Sequence, residues 1–251
     1  MSAMTLSTPL TAEVLPAGVD GFLVRFSLTP DPVAMTAARR FAARLEAGAP
    51  EGLSEIAAAL VSVLVRFDAT LADRSELKTR LETMARETVQ GPLELPEPAR
   101  RWTIPVAFGA EQGPQLAEVA AALGISEEAA VRQICEADLR VLTIGFAPGQ
   151  PYIGLMPEAW NLPRMAQLNP SVPAGALVVA VRQFVLFGAA SATGWQQVGR
   201  AAFRTFVPER EPPMPLLGGD AIRFAPAAWD EIADLAEDGD RMGGARLEVL
   251  R

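Results

Sequence analysis

The stretch T-I-G-F-A-P-G-Q-P-Y-I-G at residues 143–154 decides the fold, together with three shorter runs that follow it: N-L-P-R-M at 161–165, S-V-P-A-G at 171–175 and T-G-W-Q-Q-V-G-R at 193–200. Glycine allows a backbone with positive φ or a close approach of two chains, while proline fixes φ and removes a hydrogen-bond donor. Because these residues recur at short intervals between apolar runs, the region predicts short β-strands joined by loops of defined shape.

Short apolar runs separated by turn residues continue from Leu139 to Phe224; they include R-V-L-T-I-G-F, A-L-V-V-A-V, F-V-L-F-G, F-R-T-F and D-A-I-R-F. Many short strands at close spacing are typical of a β-barrel. The strand W-T-I-P-V-A-F comes before them, followed by a pair of helices at about 114–136, the second starting at Ser126. The sequence therefore predicts a closed or nearly closed β-barrel.

The first part of the chain predicts a separate, smaller α+β domain. Its pattern reads as two strands in 12–28, a helix at 31–46 that Asp31 caps and a strand pair in 53–67. A second helix follows at 73–89, with Asp73 or Ser75 as its cap. The Pro-rich segment G-P-L-E-L-P-E-P-A marks a linker. The predicted fold class is α+β, and the predicted boundaries are 1–90 for this domain, 91–99 for the linker, 100–226 for the barrel and 227–251 for a C-terminal helix and strand.

Composition excludes several kinds of chemistry. The 251 residues contain no histidine, one cysteine and a formal net charge of −8. A histidine triad and a zinc site of His or Cys ligands are therefore excluded, and no metal is expected. The acidic balance argues against nucleic acid and anionic membranes as partners. No apolar run approaches the roughly 20 residues of a membrane-spanning helix, and the N-terminus lacks a secretory pattern, so a cytoplasmic location is expected.

The motif G-F-A-P-G-Q-P-Y-I-G resembles the G-F-x-P-G-F-P-Y-L-G signature of the allophanate hydrolase subunit 1 family, which is also called KipI-like and includes the B subunit of 5-oxoprolinase. Further matches lie in order along the chain: G-L-S-E-I and V-L-V-R-F-D near the N-terminus, then R-W-T-I-P-V-A-F-G-A-E-Q-G-P-Q-L, S-V-P-A-G, G-W-Q-Q-V-G-R and P-L-L-G-G-D-A-I-R-F. The chain is therefore identified as a member of this family, which implies an N-terminal α+β domain followed by a cyclophilin-like β-barrel.

The resemblance also implies partners and an activity. The expected partner is a protein of the allophanate hydrolase subunit 2 family, which is the C subunit in 5-oxoprolinase, and the A subunit of that enzyme is a further possible partner. The first expectation is a subunit, inactive alone, of a hydrolase that converts 5-oxoproline to glutamate with ATP used by the complex. One alternative is the carboxyltransferase half of a biotin-dependent urea or allophanate enzyme, with biotin carried by another domain. Another is a regulatory inhibitor of a histidine kinase.

The sequence departs from the family pattern mainly at polar positions. Gln150 stands where the signature has an aromatic residue, Asn169 where the family commonly has arginine, and Val181 and Arg182 where it has two glycines. The residues that shape the backbone are largely kept. This combination predicts a retained fold with altered site chemistry. The terminal run R-L-E-V-L-R resembles the opening of subunit 2, but an ordinary amphipathic strand explains it equally well.

Three side chains are predicted to bind substrate, and no catalytic residue is assigned. Tyr152 offers a phenol to a substrate carbonyl, Arg164 a planar fork to a carboxylate, and Gln183 an amide donor and acceptor to a lactam or urea group. Two alternatives to substrate binding remain open: Arg164 could anchor its loop by bonding to backbone carbonyls, and the hydroxyl of Tyr152 could simply face solvent. Four residues are predicted to shape the loops of the site: Pro148, Gly149, Pro151 and Gly194. Cys135 is expected to be a buried, inert thiol.

Overall fold

The computed structural model describes residues 10–91, 93, 97–236 and 241–250, so part of the predicted linker lies outside the described residues. The chain divides into two compact units, Met1–Glu97 and Pro98–Arg251. The predicted fold class is confirmed: the first unit is a small α+β layer structure and the second is a closed β-barrel. No helix within the described residues is long and apolar enough to cross a membrane.

The first unit is a four-stranded antiparallel sheet with the order β1-β2-β4-β3. Its elements are β1 (Glu13–Pro16), β2 (Gly21–Arg25), α1 (Pro32–Ala47), β3 (Leu53–Ala58), β4 (Ser62–Phe67) and α2 (Arg74–Gln90). Alternate residues of the two central strands are buried with apolar residues of both helices: Phe22, Val24, Val63, Val65, Phe41, Leu45, Leu77 and Leu81. Apolar residues recur at every second position in the strands and about every fourth position in the helices, and this spacing places them in one core.

Both helices of the first unit begin where the sequence predicts. Asp31 caps α1, where its carboxylate accepts hydrogen bonds from the backbone N–H groups of Val33 and Ala34, both at 2.9 Å. Asp73 caps α2 by accepting from the backbone N–H of Glu76 at 2.8 Å. Each cap satisfies donors that the first turn of a helix leaves unpaired.

The second unit contains the remaining elements: β5 (Arg100–Phe108), α3 (Leu116–Leu123), α4 (Glu127–Glu136), β6 (Leu139–Ile144), β7 (Pro151–Gly154), β8 (Asn169–Val172), β9 (Ala176–Ala180), β10 (Gln183–Leu186), β11 (Ser191–Thr193), β12 (Gln196–Arg200), β13 (Ala221–Pro226), α5 (Trp229–Ala233) and β14 (Arg246–Val249). As predicted, Ser126 caps α4. The terminal strand is also confirmed as β14. The residue Glu237, placed in the predicted tail helix, lies outside the described residues.

Seven strands close the barrel in the order β12-β9-β10-β7-β6-β13-β5. Closure occurs where Gly199 and Arg200 of β12 pair with Phe108 and Ala107 of β5. β13 and β5 run parallel, whereas the other pairs of the ring are antiparallel. The interior is filled by apolar side chains from every strand of the ring, among them Ile104, Val141, Ile153, Val179, Phe184, Val198 and Phe224. β8 and β11 form a separate two-stranded sheet.

One predicted strand is wrong. The run F-R-T-F at 203–206 alternates buried and more exposed residues, as a strand would, but its backbone belongs to a loop. The N–H of Arg204 donates to the carbonyl of Arg241 instead of to a neighbouring strand. Phe203 packs against Trp102, with ring centroids 5.6 Å apart. The alternation therefore reflects a loop pressed against the barrel and not a strand of the sheet.

A buried carboxylate joins the start of β13 to β5. Asp220 accepts hydrogen bonds from Arg100 Nε at 2.9 Å, from the indole N–H of Trp102 at 3.2 Å and from the backbone N–H of Leu217 at 2.8 Å. These bonds offset the cost of burying the charge. We call Asp220, Arg100, Trp102 and Leu217 the Asp220 cluster.

Candidate functional site

A cleft of about 300 Å³ lies on the face of β7 and β10 that points away from the barrel interior. Side chains alternate across these strands, so Ile153 and Phe184 fill the interior while their neighbours Tyr152 and Val185, which pair across the two strands, line the cleft. The full lining is Phe146, Gln150, Tyr152, Arg164, Leu168, Val185, Phe187, Ala192, Thr193, Gly194 and Trp195. Strand alternation thus separates the barrel interior from a second face, where Val185, Phe187 and Trp195 belong to another buried apolar cluster that the cleft adjoins.

Three polar side chains meet in this cleft without an internal partner. Gln150 is only 3% exposed, yet its side chain makes no hydrogen bond to any residue that the structure describes. The hydroxyl of Tyr152 and the guanidinium of Arg164 also lack hydrogen-bond or ion-pair partners in the described part of the chain. The amide atoms of Gln150 are not among the buried side-chain atoms without a partner, and Arg164 is exposed, so these groups stay open to solvent in the cleft. The cleft therefore presents an amide, a phenol and a cation to whatever enters it.

Aromatic packing holds two of these groups in place. The rings of Tyr152 and Trp195 meet edge to face with centroids 6.0 Å apart. The guanidinium carbon of Arg164 lies 5.6 Å from the centre of the Trp195 ring, within the range of a cation–π contact. Trp195 therefore contacts both the ring of Tyr152 and the guanidinium of Arg164 and helps to position them.

The signature loop has a tightly fixed path beside the cleft. Gly149 has φ +69°, and a Cβ there would lie 2.2 Å from the carbonyl oxygen of Thr205, so a larger residue would collide with backbone. The loop closes on itself because the N–H of Gly145 donates to the carbonyl of Gln150 at 3.0 Å, and the N–H of Gln150 donates to the carbonyl of Ala147 at 3.1 Å. These contacts place Gln150 at the cleft wall.

The other residues predicted to shape loops lie close by. Pro151 is the first residue of β7 and pairs with Ile144, and the carbonyl of Pro148 lies 3.6 Å from where a Cβ on Gly188 would be. Gly194 accepts a hydrogen bond from the N–H of Met165 at 2.6 Å, which ties the segment of Arg164 to the cleft. Their influence on binding stays a prediction.

Gln183 is placed differently from the other two predicted binding residues. It begins β10 opposite Gly154, on the same strand face as Val185 and Tyr152, but it is buried and outside the residues that line the cleft. Its Oε1 is buried without a hydrogen-bond partner in the described structure. The structure therefore brings Tyr152 and Arg164 together and leaves Gln183 outside the residues that line the cleft.

The turn before Gln183 carries backbone strain. Val181 and Arg182 have φ values of +45° and +67°, and they form the two-residue connection between β9 and β10. Such hairpin turns favour glycine or asparagine, and a β-branched residue at positive φ is an outlier. Arg182 anchors the turn by donating to the carbonyl of Met156 at 2.8 Å and to the carboxylate of Glu158 at 2.6 Å.

A second, larger groove of about 550 Å³ lies between the end of β5 and α4. Cys135 lines it and is half-buried, less buried than expected. Burial, with a smaller contribution from the charge of Glu136, raises the pKa of the Cys135 thiol to about 11. The thiol is therefore protonated at neutral pH, as its predicted inertness requires. No three His, Cys, Asp or Glu side chains form a metal-binding group within the described residues.

Sequence reasoning missed three features of the site. The sequence marks Gln150 only as a departure from an aromatic position and gives no sign that it lines the cleft. Phe146 and Leu168 are 79% and 68% exposed at the mouth of the cleft. The alternation V-L-F at 185–187 was a usable signal, because it places Val185 and Phe187 on the face opposite Leu186.

Comparison with known proteins identifies relatives of the chain. Residues 12–216 match the family model of the carboxyltransferase domain, subdomain C and D. The 5-oxoprolinase B subunit of Escherichia coli O157:H7 is 39% identical over 131 residues, which are 52% of this chain and 60% of that protein. The 5-oxoprolinase B subunit of Bacillus subtilis (strain 168) is 36% identical over 121 residues, 48% of this chain and 50% of that protein. In each case the matched region covers less than two thirds of the relative.

Solved structures share the architecture. TTHA0988 superposes with a TM-score of 0.69 at 31% identity, over 82% of this chain and 39% of that one. The Kluyveromyces lactis urea amidolyase superposes with a TM-score of 0.78 at 17% identity, over 98% of this chain and 17% of that one. At that identity the second match shows the fold alone. It supports the confirmed barrel with its small accompanying α+β unit.

Proposed function

The chain belongs to the family of the carboxyltransferase domain, subdomain C and D, and from this premise we propose that it is one component of a heteromeric enzyme that converts 5-oxoproline to glutamate with ATP. Two relatives at 36% and 39% identity carry the name of the 5-oxoprolinase B subunit. The observation that carries the proposal is the cleft itself, where an amide, a phenol and a guanidinium converge without internal partners among the described residues.

The chemistry of the cleft suits a small cyclic amide that carries a carboxylate. Arg164 can hold a carboxylate through the planar fork of its guanidinium. Gln150 has both an amide donor and an amide acceptor, so it can pair with the N–H and the carbonyl of a lactam. Trp195 and Phe187 supply apolar surface for the ring. In this arrangement the chain binds and orients the substrate.

Activation of the substrate is assigned to the assembled complex. Amide resonance makes a lactam a poor electrophile, and ATP would supply the activation that its opening requires. We assign nucleotide binding to the other components, with a protein of the subunit 2 type as the direct partner. This chain's own contribution is to hold the carboxylate and the lactam edge in fixed positions, which lowers the entropic cost of the reaction.

The mouth of the cleft supports a docking partner. Phe146 and Leu168 line the cleft and are large, apolar and mostly exposed. Exposed apolar side chains that flank a polar cleft are typical of a protein–protein contact. A partner seated on them would exclude water from the cleft and strengthen the hydrogen bonds and charge interactions inside.

The direct test is ATP-dependent release of glutamate from 5-oxoproline, measured for the pure chain and for the chain co-expressed with the C and A subunits of 5-oxoprolinase. The complex should turn over and the pure chain should not. Arg164→Gln should lower kcat/KM by about tenfold or more, because a charge-assisted hydrogen bond contributes about 1.5–3 kcal/mol. Arg132→Gln, in the groove beside α4, is the matched control and should leave kcat/KM unchanged.

Two results would contradict the proposal: robust turnover by the pure chain, or equal activity of the Arg164 variant and its control. Docking is tested separately by co-purification. Phe146→Ser with Leu168→Ser should reduce recovery of the partner, while Leu71→Ser, an exposed apolar residue of the first unit, should not. Unchanged recovery would place the partner on another surface.

A further inference from the structure

β14 is an exposed edge strand with one unused side. It pairs with β5 through the register Arg246–Thr103, Leu247–Trp102, Glu248–Arg101 and Val249–Arg100. No other described strand pairs with its second edge. Two apolar side chains on it, Leu247 and Val249, are 44% and 68% exposed. A free edge of this kind is a template for another strand.

The direction of each backbone group follows from one hydrogen bond. The N–H of Leu250 donates to the carbonyl of Ala99 at 2.8 Å, so the backbone groups of Leu250 point towards β5. In an antiparallel pair the backbone groups of successive residues alternate between the two sides of the strand. Glu248 and Arg246 therefore also bond towards β5, whereas Leu247 and Val249 direct their N–H and carbonyl groups to the free edge.

Charge selects one way of pairing this edge with itself. If a twofold axis passes through Leu247, Arg246 of one copy lies directly opposite Glu248 of the other, and Leu247 faces Leu247 as a hydrogen-bonded pair. An axis through Arg246 or Glu248 would set like charges opposite each other, which is destabilising. An axis through Val249 would leave Arg246 beyond the paired residues. The sequence R-L-E-V is thus self-complementary in one antiparallel register.

In the monomer, the positive charge of Arg246 has no ion-pair partner among the described residues. Glu248 is paired with Arg101 of its own chain at 3.2 Å, while Arg246 has no ion pair or hydrogen bond in the described part of the chain. In the Leu247-centred pairing, each Glu248 carboxylate would lie between Arg101 of its own chain and Arg246 of the second copy. Pairing would also satisfy both backbone groups of Leu247 and the outward N–H of Val249.

We propose that β14 is a self-association surface, through which two copies of this chain join antiparallel about an axis at Leu247 and extend the barrel sheet across the dimer. The contact is isologous, so it closes after two copies. It is short, and the dimer is therefore expected to be weak and to depend on protein concentration. The proposal concerns β14 alone and does not rest on the function assigned to the cleft.

The first test is Leu247→Pro, measured by sedimentation velocity over a hundredfold range of protein concentration. Proline removes the outward N–H of Leu247 but no bond to β5, and proline is tolerated on edge strands whose N–H faces solvent. The wild type should shift from monomer to dimer with rising concentration, and Leu247→Pro should stay monomeric with an unchanged Tm. Glu248→Pro is the matched control, since it removes an inward N–H and should lower the Tm.

The second test fixes the register. Leu247→Cys in a Cys135→Ala background should form an intermolecular disulfide under mild oxidation, because a hydrogen-bonded antiparallel pair places its Cα atoms about 5.5 Å apart. Arg246→Cys in the same background should not, since its counterpart across the axis is Glu248. A wild type that stays monomeric at all concentrations overturns the proposal, as does preferential cross-linking at position 246. Binding of an unrelated strand peptide by a monomeric wild type would assign the edge to another partner and also overturn it.

Discussion

The Asp220 cluster and the cleft beside Tyr152 both place polar side chains against the barrel, but only the Asp220 cluster is internally paired. Asp220 accepts hydrogen bonds from Arg100, Trp102 and Leu217. Gln150 in the cleft is buried as deeply, and its side chain accepts none from the described residues. The amide atoms of Gln150 are not among the buried atoms without a partner, so water or a ligand can complete them. The two regions therefore differ in pairing, although Asp220 and Gln150 are similarly buried as whole residues.

The largest expected effect is on the paired cluster. Asp220→Ala leaves the guanidinium of Arg100 and the indole N–H of Trp102 without this acceptor, and breaking a buried pair costs about 3–5 kcal/mol. The free energy of unfolding of the barrel unit, measured in urea, should fall by that amount. Glu158→Ala removes an exposed pair with Arg182 and should change it by less than about 1 kcal/mol. Equal effects would contradict the structural assignment of Asp220.

The loop that carries Gln150 should be nearly as sensitive. Gly149→Ala combines a left-handed backbone with a collision against the carbonyl of Thr205, and we expect a loss of about 3 kcal/mol. Gly124→Ala has almost the same φ, +68°, but nothing lies within 4 Å of its added Cβ, so about 1 kcal/mol is expected. Thermal unfolding of both variants measures the difference. A Gly149 variant as stable as the Gly124 variant would mean that the loop is not held against Thr205.

Two glutamines, one with an internal side-chain hydrogen bond and one without, sharpen the comparison between the two regions. Gln197→Leu removes a donor to the carbonyl of Gln112 at 2.7 Å and should cost about 1–3 kcal/mol. Gln150→Leu removes no internal hydrogen bond and should leave stability within about 0.5 kcal/mol. Binding of 5-oxoproline, followed by calorimetry on the complex, should fail only for the Gln150 variant. A large stability loss in that variant would assign Gln150 to the structure instead of the site.

The smallest expected effect lies in the strained turn behind the cleft. Val181→Gly removes the strain of a β-branched residue at φ +45°. The greater freedom of glycine in the unfolded chain offsets part of this gain, so we expect the free energy of unfolding to rise by about 0.5 kcal/mol. Arg182→Gly gives up the bonds to Met156 and Glu158 and should be destabilising despite its positive φ. Urea unfolding of the two variants separates strain from anchoring. Destabilisation by Val181→Gly would mean that the valine side chain contributes more than its strain costs.

Much of the fold was predictable because its signals are local. The caps at Asp31, Asp73 and Ser126 depend on residues within one helical turn, and all three helices begin there. The run F-R-T-F misled because burial of alternate residues does not specify which backbone groups pair. Tyr152 and Arg164 were predicted from side-chain chemistry, and the structure places them in one cleft. Gln183 was predicted by the same reasoning but is buried outside the residues that line the cleft.

The sequence by itself determined the order of most elements and the barrel class, because the spacing of glycine, proline and apolar residues acts over a few residues at a time. Its motifs indicated the family by resemblance. Only the tertiary structure decided that β12 closes on β5, that Trp195 contacts both Tyr152 and Arg164, and that Gln150 lacks an internal partner among the described residues. These facts depend on contacts between residues far apart in the chain. The presence or absence of a hydrogen-bond partner is a property of the assembled surroundings, and no local pattern encodes it.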